Sequence, residues 1–158
     1  MQIAGGKWGK VSQVGFFGAS SLVLDGKGRM TMPARHRDTF KAAGSACLAI
    51  TKHPDGCLMV FPEANWIPFR DRVSALPMEA LAWKRVFLGF VSEVEIDGSS
   101  RVLIDPVLRE YAGFDAGSKV LLLGLGPHFE LWENGRYQAR EAVAVTQPMP
   151  DAIKAFTY

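Results

Sequence analysis

The stretch LDGKGRMTMP, residues 24–33, places the turn sequence Asp-Gly-Lys-Gly-Arg between two short apolar runs. The Asp-Gly pair is a strong β-hairpin signal because both residues tolerate a positive φ angle. The stretch IDGSSRVLID, residues 96–105, has the same form. The sequence therefore predicts two similar hairpins, and each carries a basic side chain at or beside its tip.

An ungapped offset of 72 residues superimposes much of the chain on itself. The identical pairs include Asp25 with Asp97, Gly26 with Gly98, Arg29 with Arg101, and Arg37 with Arg109. Apolar runs coincide as well, since CLAIT (47–51) lies over KVLLL (119–123) and CLMVF (57–61) lies over FELWE (129–133). A single register that aligns all of these features indicates a duplicated unit.

Each unit reads as β-β-α-β-β. The helical segment is ARHRDTFKAAG (34–44) in the first unit and PVLREYAGF (106–114) in the second, and Gly44 and Gly113 are the expected helix stops. A unit of about 45 residues buries little apolar surface by itself. We therefore expect the two units to interleave across a pseudo-twofold axis and to share one core.

The pattern divides the chain into five segments. They are a flexible basic arm (1–15), a first unit (16–61), a helical linker (62–90), a second unit (91–134), and a C-terminal helix and tail (135–158). In the linker, Pro77 can open a helix, and Pro68 either starts or interrupts one. The linker is too apolar for a free connection, so Trp83, Phe87 and Phe90 are expected to pack on the units or to contact a neighbouring subunit.

Composition favours a globular protein. Of the 158 residues, 48% are hydrophobic and 22% are charged, which is enough apolar surface for a packed core. No apolar run reaches the roughly 20 residues that span a bilayer, and the first residues lack a signal-peptide core. Two cysteines are too few for a disulfide framework, which favours a cytoplasmic location.

The net charge of +2 is unevenly distributed. Residues 1–41 contain seven basic and two acidic side chains, so this part is strongly basic and the remainder is acidic. Such polarity is typical of a nucleic-acid-binding face, although chance clustering on a solvated surface gives the same pattern.

The chain resembles the MraZ family of bacterial regulators of the division and cell wall gene cluster. The matching stretches are FFGASSLVLDGKGRMTMPARHR and VSEVEIDGSSRVLIDPVLREYAGF, followed by LLLGLGPHFELW. The paired Asp-x-x-x-Arg motifs, Asp25/Arg29 and Asp97/Arg101, are the most specific part of this likeness. Ser100 departs from it, because the second motif of the family usually has glycine before the arginine.

The resemblance implies a fold and a function. The fold class would be α+β, mainly β, with two tandem swapped-hairpin units like those of AbrB-type regulators. These units would form a pseudo-twofold barrel with packed linker and C-terminal helices. The function would be sequence-specific binding of double-stranded DNA at short direct repeats in a promoter, by a ring-shaped homo-oligomer associated with the nucleoid.

Basic residues around the first hairpin are the candidate DNA contacts. The set is Lys27, Arg29, Arg35 and Lys41. A narrow two-stranded hairpin fits the major groove, and arginine can bind guanine with two hydrogen bonds.

Five further residues are assigned to the motif and the fold: Asp25, Arg37, Asp97, Arg101 and Arg109. Asp25 is expected to pair with Arg29 inside the hairpin, because a carboxylate that faces phosphates is unfavourable.

Other polar residues receive structural interpretations. His36 aligns with Leu108 and is expected to be partly buried. Cys47, His53 and Cys57 lack a fourth ligand at a common zinc spacing, so both thiols are expected to be core residues. The acidic run Glu93, Glu95 and Asp97 predicts a solvated or subunit-facing strip. The sequence thus indicates no catalytic site, metal or cofactor, and an antitoxin-like or scaffold protein-interaction module is the main alternative function.

Overall fold

The computed structural model describes residues 15–156. Its strands are β1 (Phe16–Val23), β2 (Arg29–Thr31), β3 (Cys47–Lys52), β4 (Leu58–Pro62), β5 (Ser92–Glu95), β6 (Arg101–Leu103), β7 (Lys119–Gly126) and β8 (Phe129–Glu133). Its helices are α1 (Ala34–Ala43), α2 (Glu63–Ser74), α3 (Leu81–Leu88), α4 (Pro106–Ala112), α5 (Asn134–Ala144) and α6 (Asp151–Lys154), with a 3₁₀ turn at Met78–Ala80. Apart from Gly15, the predicted basic arm lies outside the described residues.

Strand pairing interleaves the two units. Six strands form one antiparallel sheet in the order β1-β7-β8-β4-β3-β5, and β2 pairs with β6 in a separate two-stranded ribbon. The first strand of each unit therefore pairs with the third strand of the other unit, as β1 does with β7 and β5 with β3. The predicted mainly antiparallel mixture of strands and helices is confirmed. The large sheet is open at β1 and β5, so the predicted barrel is not confirmed.

The sequence offset that superimposes the two units changes near their last strands. Through β3 and β7 the offset is 72, since Leu48 and Val120 are both buried in the main core. Leu58 and Val60 of β4 share that core with Phe129 and Leu131 of β8, which is an offset of 71. The ungapped match of CLMVF to FELWE is therefore wrong by one residue, because the connection to β8 is shorter. A one-residue slip exchanges the faces of a strand, so His128, rather than Phe129, corresponds to Cys57.

Apolar side chains cover both faces of the sheet. The main cluster joins one face to the β2–β6 ribbon, α1 and α4, and it includes Met30, Phe40, Val102 and Leu108. A smaller cluster on the opposite face contains Ala49, Met59, Phe61 and Trp66, with side chains of α2 and α3 packed against it. All five residues of β4 are buried as a result.

Residues 62–90 contain α2, the 3₁₀ turn and α3, and Pro68 does not act there as its position in the sequence suggests. Pro68 lies inside α2 and neither starts nor ends it. An internal proline costs about 3 kcal/mol, whereas burying a large apolar side chain contributes about 1.5–3 kcal/mol. Trp66 and Val73 are buried and Phe69 packs beside them, so the packing of α2 outweighs the break.

The helical ends show two smaller differences. The start of α5 is capped by Glu133, whose carboxylate accepts a hydrogen bond from the Arg136 backbone N–H at 2.9 Å, instead of by Asn134. The tail contains the short helix α6 where a loose segment is expected. Within residues 15–156, none of the helices has the length and apolar character needed to cross a membrane.

A substitution at Gly124 tests the pairing of β1 with β7. A Cβ atom at Gly124 would lie 2.7 Å from the backbone of Phe16 and Phe17, which cannot move without separating the strands. We expect Gly124→Ala to lower the free energy of unfolding by about 1–3 kcal/mol in chemical denaturation. Gly98→Ala is the matched control, because a Cβ atom there meets nothing within 4 Å. Equal stability of the two variants would contradict the observed pairing.

Candidate nucleic-acid interface

The β2–β6 ribbon presents one exposed face. Met30 and Val102 are directly opposite each other and fully buried, so the residues on either side of them point away from the core. These outward residues are Arg29 opposite Leu103, and Thr31 opposite Arg101. The ribbon therefore brings the arginines of both motifs onto one surface, with their Cα atoms roughly 8 Å apart on a regular ribbon.

The two Asp-x-x-x-Arg motifs alone do not reveal Thr31 and Leu103 as surface residues of the ribbon. Alternation along each strand would have identified them, because the inward direction of Met30 and Val102 fixes the direction of their neighbours. Leu103 is 48% exposed and supplies an apolar contact beside Arg29.

The aspartate of each motif organises its turn. Asp25 Oδ1 accepts the backbone N–H groups of Lys27 (2.9 Å) and Arg29 (3.0 Å), while Oδ2 accepts the Arg29 Nε–H at 2.8 Å. Asp97 repeats the arrangement with Ser99 and Arg101, with the Arg101 Nε at 3.2 Å from Oδ2. The expected pairing inside the hairpin is therefore present in both units.

This pairing leaves the ends of the arginine side chains available. In each motif the aspartate binds Nε, and no other residue within 15–156 accepts a hydrogen bond from the guanidinium of Arg29 or Arg101. Both terminal Nη groups of each arginine can therefore donate to an external acceptor in a plane that the aspartate fixes.

Lys27 lies at the first tip. It is exposed, has no side-chain partner among the described residues, and stands between Gly26 and Gly28. Gly28 has a φ angle of 82°, which the turn requires and which glycine adopts without strain. The corresponding residue of the second turn is Ser99, so only the first turn carries a charged tip.

Each turn docks on the other unit. The Gly28 carbonyl accepts the Ile104 N–H at 3.0 Å, and the Ser100 carbonyl accepts the Met32 N–H at 2.8 Å. Arg109 of α4 lies against Gly28, and its Nε donates to the Ile104 carbonyl at 2.8 Å. A Cβ atom on Gly28 would lie 2.6 Å from the Arg109 guanidinium, so this contact depends on glycine.

The second turn has no equivalent contact. Ser100 replaces glycine there and has a φ angle of 64°, which is strained for a residue with a Cβ atom. The side chain of Arg37, the counterpart of Arg109, makes no hydrogen bond or ion pair with the described part of the chain. Instead Arg37 and Lys41 line an open cleft of about 420 Å³ with Asp97 and Ser100. Two cations of the first unit thus stand beside the turn of the second.

Arg35 lies against β1. Its Nη2 donates to the Ala19 carbonyl (3.2 Å) and to Ser20 Oγ (3.0 Å), while the side chain as a whole remains exposed. This position joins α1 to the edge of the sheet. A contact between Arg35 and DNA stays a prediction.

The other sequence candidates occupy structural positions. His36 is buried between the rings of Phe16 and Phe129, and burial together with the nearby Arg35 charge lowers its pKa. Cys57 is fully buried, whereas Cys47 is half-buried beside Glu95 on the edge strand, with Sγ and Oε2 3.8 Å apart. Cys47 lies at the start of β3, whereas His53 follows its end. Cys47, His53 and Cys57 therefore do not form one site.

The expected oligomer contacts lie at the end of the linker. Trp83 and Phe90 are each 50% exposed, and Phe87 is partly buried against the smaller cluster. The Lys52 ammonium stands 3.8 Å from the centre of the Phe90 ring. On β5, Glu93 and Glu95 are exposed while Val94 packs inward, as the alternation predicts.

The pKa of Asp25 shows whether backbone hydrogen bonds or the ion pair with Arg29 hold the first turn. The Arg29 backbone N–H is the main cause that lowers the pKa of Asp25 to about 2, and the Arg29 side chain contributes less. Because the folded-state pKa is depressed, the stabilisation is present above the unfolded pKa and is lost as the pH falls toward 2. We expect Arg29→Ala to leave the pKa of Asp25 below its ordinary value in a carboxyl ¹³C NMR titration. A return to the ordinary value would show that the ion pair, not the backbone, holds the turn.

Ser100→Gly tests the asymmetry of the two turns. The change removes the backbone strain at residue 100. It also opens a space at the second turn that corresponds to the space beside Gly28, where Arg109 lies. We therefore expect a gain of up to about 1 kcal/mol in the free energy of unfolding. Gly28→Ser is the reciprocal variant and should be destabilising, because it displaces Arg109. Chemical denaturation measures both, and a loss of stability in Ser100→Gly would contradict this account.

Comparisons with known proteins agree with the duplicated motif. A family model described as "MraZ protein, putative antitoxin-like" matches residues 16–86 and again residues 87–150. A protein of an Acidovorax species is 53% identical over 143 residues, covering 90% of this chain and 99% of the relative. A protein of Ralstonia pickettii is 51% identical over 143 residues, with the same two coverages.

A third relative, from Methylibium petroleiphilum, is 51% identical over 148 residues, covering 94% of this chain and all of the relative. Each of the three is named "Transcriptional regulator MraZ". The name describes a regulator and not an enzyme. Two family matches in tandem and relatives of this similarity show that the chain belongs to the MraZ family.

Proposed function

We propose that the protein is a transcriptional regulator that binds promoter DNA in a sequence-specific manner through the β2–β6 ribbon. The observation that carries the proposal is the shared exposed face of the ribbon, with Arg29 and Arg101 each held by an aspartate through Nε. The names of the relatives support a role in transcription. The proposed sites are short direct repeats in the promoter of the division and cell wall gene cluster.

The ribbon has the dimensions and chemistry for the major groove. A two-stranded β-ribbon fits a groove about 12 Å wide. An arginine whose Nη groups are free can bind O6 and N7 of guanine together. Since Asp25 already restricts the Arg29 side chain, less conformational entropy is lost when the base contact forms.

Phosphate contacts would come from both turns. Lys27 is an exposed point charge at the first tip, and Arg37 and Lys41 stand in the cleft beside the second. The basic residues of the first unit are thus divided between the two ends of the ribbon. The second turn has Ser99 in place of Lys27, so we propose that Arg29 contributes more to binding than Arg101.

Assembly would multiply these contacts. Trp83, Phe87 and Phe90 provide apolar surface at the end of the linker, and we propose that they contact a neighbouring subunit in a ring. Several linked ribbons raise the effective concentration of each further contact on repeated sites. The related proposals are a pseudo-twofold barrel in each subunit and a cytoplasmic, nucleoid-associated location.

A protein-interaction module is the second candidate. The exposed carboxylates Glu93 and Glu95 lie on β5, which is a free edge of the large sheet. An edge strand can pair with a segment of another protein, and its acidic side chains would select a basic one. The words "antitoxin-like" in the family description favour this alternative.

The decisive experiment measures Lys27→Ala and Arg29→Ala on two duplexes at several salt concentrations. One duplex carries sites selected by the wild-type protein from random DNA, and the other is its scrambled form. Lys27→Ala should weaken both equally and make the logarithmic salt slope shallower by about one per contacting subunit. Arg29→Ala should cost about 1–3 kcal/mol per contacted base on the selected duplex alone.

Arg101→Ala is the matched control for the unequal roles of the two units. An equal loss for Arg29→Ala and Arg101→Ala would show that both units read bases alike. Light scattering on each variant separates a DNA effect from a loss of assembly. Unchanged binding by Lys27→Ala and Arg29→Ala, with the oligomer intact, would exclude the ribbon and favour the protein-interaction function.

A further inference from the structure

Three side chains of types that can ligate a metal ion lie together on the face of the sheet opposite the main core. His53 belongs to the turn after β3, Cys57 immediately precedes β4, and Glu130 is on β8. Donor atoms of all three lie within 4.8 Å of one another, and His53 Nε2 is 3.2 Å from Glu130 Oε2. The cluster joins residues of both units, because β4 and β8 are neighbours in the large sheet.

The donor set matches that of a borderline-soft divalent cation. Thiolate, imidazole and carboxylate are the three ligand types of zinc, with bond lengths of about 2.0–2.3 Å. Ligand atoms around a tetrahedral ion of that size are roughly 3–4 Å apart, which is close to the observed spacing. A Cys57 thiolate and the Glu130 carboxylate together balance the charge of a divalent ion.

The surroundings of Cys57 also favour a cation. Two carboxylates lie against His53, since Glu130 Oε2 is 3.2 Å from Nε2 and Asp55 Oδ2 is 4.0 Å from Nδ1. Both would attract a divalent ion in the cluster, and a thiol that coordinates such an ion is deprotonated. Cys57 is fully buried, while the His53 and Glu130 side chains are 20% and 15% exposed, so an ion can enter from their side.

Neighbouring groups orient the proposed ligands. The Trp132 indole N–H donates to Glu130 Oε1 at 2.8 Å, which leaves Oε2 directed at His53. His53 Nδ1 accepts the Asp55 backbone N–H at 3.0 Å, so Nε2 carries the imidazole proton in this state. The Tyr111 hydroxyl donates to the His53 carbonyl at 2.7 Å and fixes the turn.

We propose that His53, Cys57 and Glu130 form a binding site for a transition-metal ion of the zinc type, with a fourth position open to water. On binding, the thiol of Cys57 releases its proton to solvent and the ion replaces the Nε2 proton of His53. That proton moves to Nδ1, which then no longer accepts the Asp55 backbone N–H, so metal binding breaks this hydrogen bond and shifts the turn. The Nδ1 proton then faces the Asp55 carboxylate, whose Oδ2 is 4.0 Å away. A carboxylate behind a ligating histidine is a common supporting arrangement.

Sequence spacing could not reveal this site. Glu130 follows Cys57 by 73 residues and is in the other unit, and only the pairing of Met59 with Glu130 places it near the thiol. Cys47, which the spacing suggested instead, lies at the far end of β3 beside Glu95. The site would fasten the two units together on the side of the sheet away from the ribbon.

The test uses the tag-free full chain with Co²⁺ as the spectroscopic probe and Zn²⁺ as the competitor. One Co²⁺ per chain should bind and give a thiolate-to-metal charge-transfer band that Zn²⁺ abolishes. Cys57→Ala should remove the band, while the matched control Cys47→Ala should retain it. Glu130→Gln should weaken Co²⁺ binding by at least about tenfold.

Zn²⁺ should also raise the melting temperature of the wild type and of Cys47→Ala, but not of Cys57→Ala. If Cys57→Ala does not fold, Glu130→Gln decides the question, because its amide is isosteric with the carboxylate. The proposal is overturned by a folded wild-type chain without a charge-transfer band. It is equally overturned by a band that Cys47→Ala removes, or by full Co²⁺ affinity in Glu130→Gln.

Discussion

The exchange of first strands between the two units is the constraint on which the structure depends. β1 forms its ladder with β7, and β5 forms its ladder with β3, so neither unit keeps its own first strand. The exchange brings the second strands together as the β2–β6 ribbon and the fourth strands together in the centre of the large sheet. Because a buried backbone group must find a hydrogen-bond partner, separating the units would expose both ladders at once. The shared core and the exposed ribbon face therefore have one origin.

The aspartates of the two motifs convert this scaffold into a precise surface. Each uses one oxygen for two backbone N–H groups and the other for an arginine Nε. The turn and the guanidinium are thus fixed by the same carboxylate. Arg109 shows a second use of the guanidinium group, since its Nε donates to a backbone carbonyl in the space left by Gly28.

Much of the fold was predictable, because Asp-Gly turns, helix-stop glycines and apolar runs are local signals. The duplication identified the units, and alternation placed Val94 inward and Glu93 outward. The register of β8 was not predictable from an ungapped match, since a shorter connection changes it by one residue without any local signal. The position of Pro68 inside α2 was not predictable for a related reason. The helix tolerates this proline because Trp66 is buried against strands that are distant in the sequence. At the candidate interface, the motifs identify the two arginines. The different positions of Arg37 and Arg109 were not predictable, because they depend on the space that Gly28 leaves for Arg109 in the folded chain.

The difference between Gly28 and Ser100 gives the ribbon a direction. A ribbon with two identical ends would look the same after a half-turn and could not distinguish the two strand directions of a DNA duplex. Here one end carries Lys27 above a docked Arg109, and the other carries Ser99 above a cleft with an undocked Arg37. In the proposed complex, a subunit with unlike ends would have a head and a tail along the axis of the DNA duplex. Such polarity suits successive sites that all point the same way, whereas a symmetric ribbon would suit inverted ones.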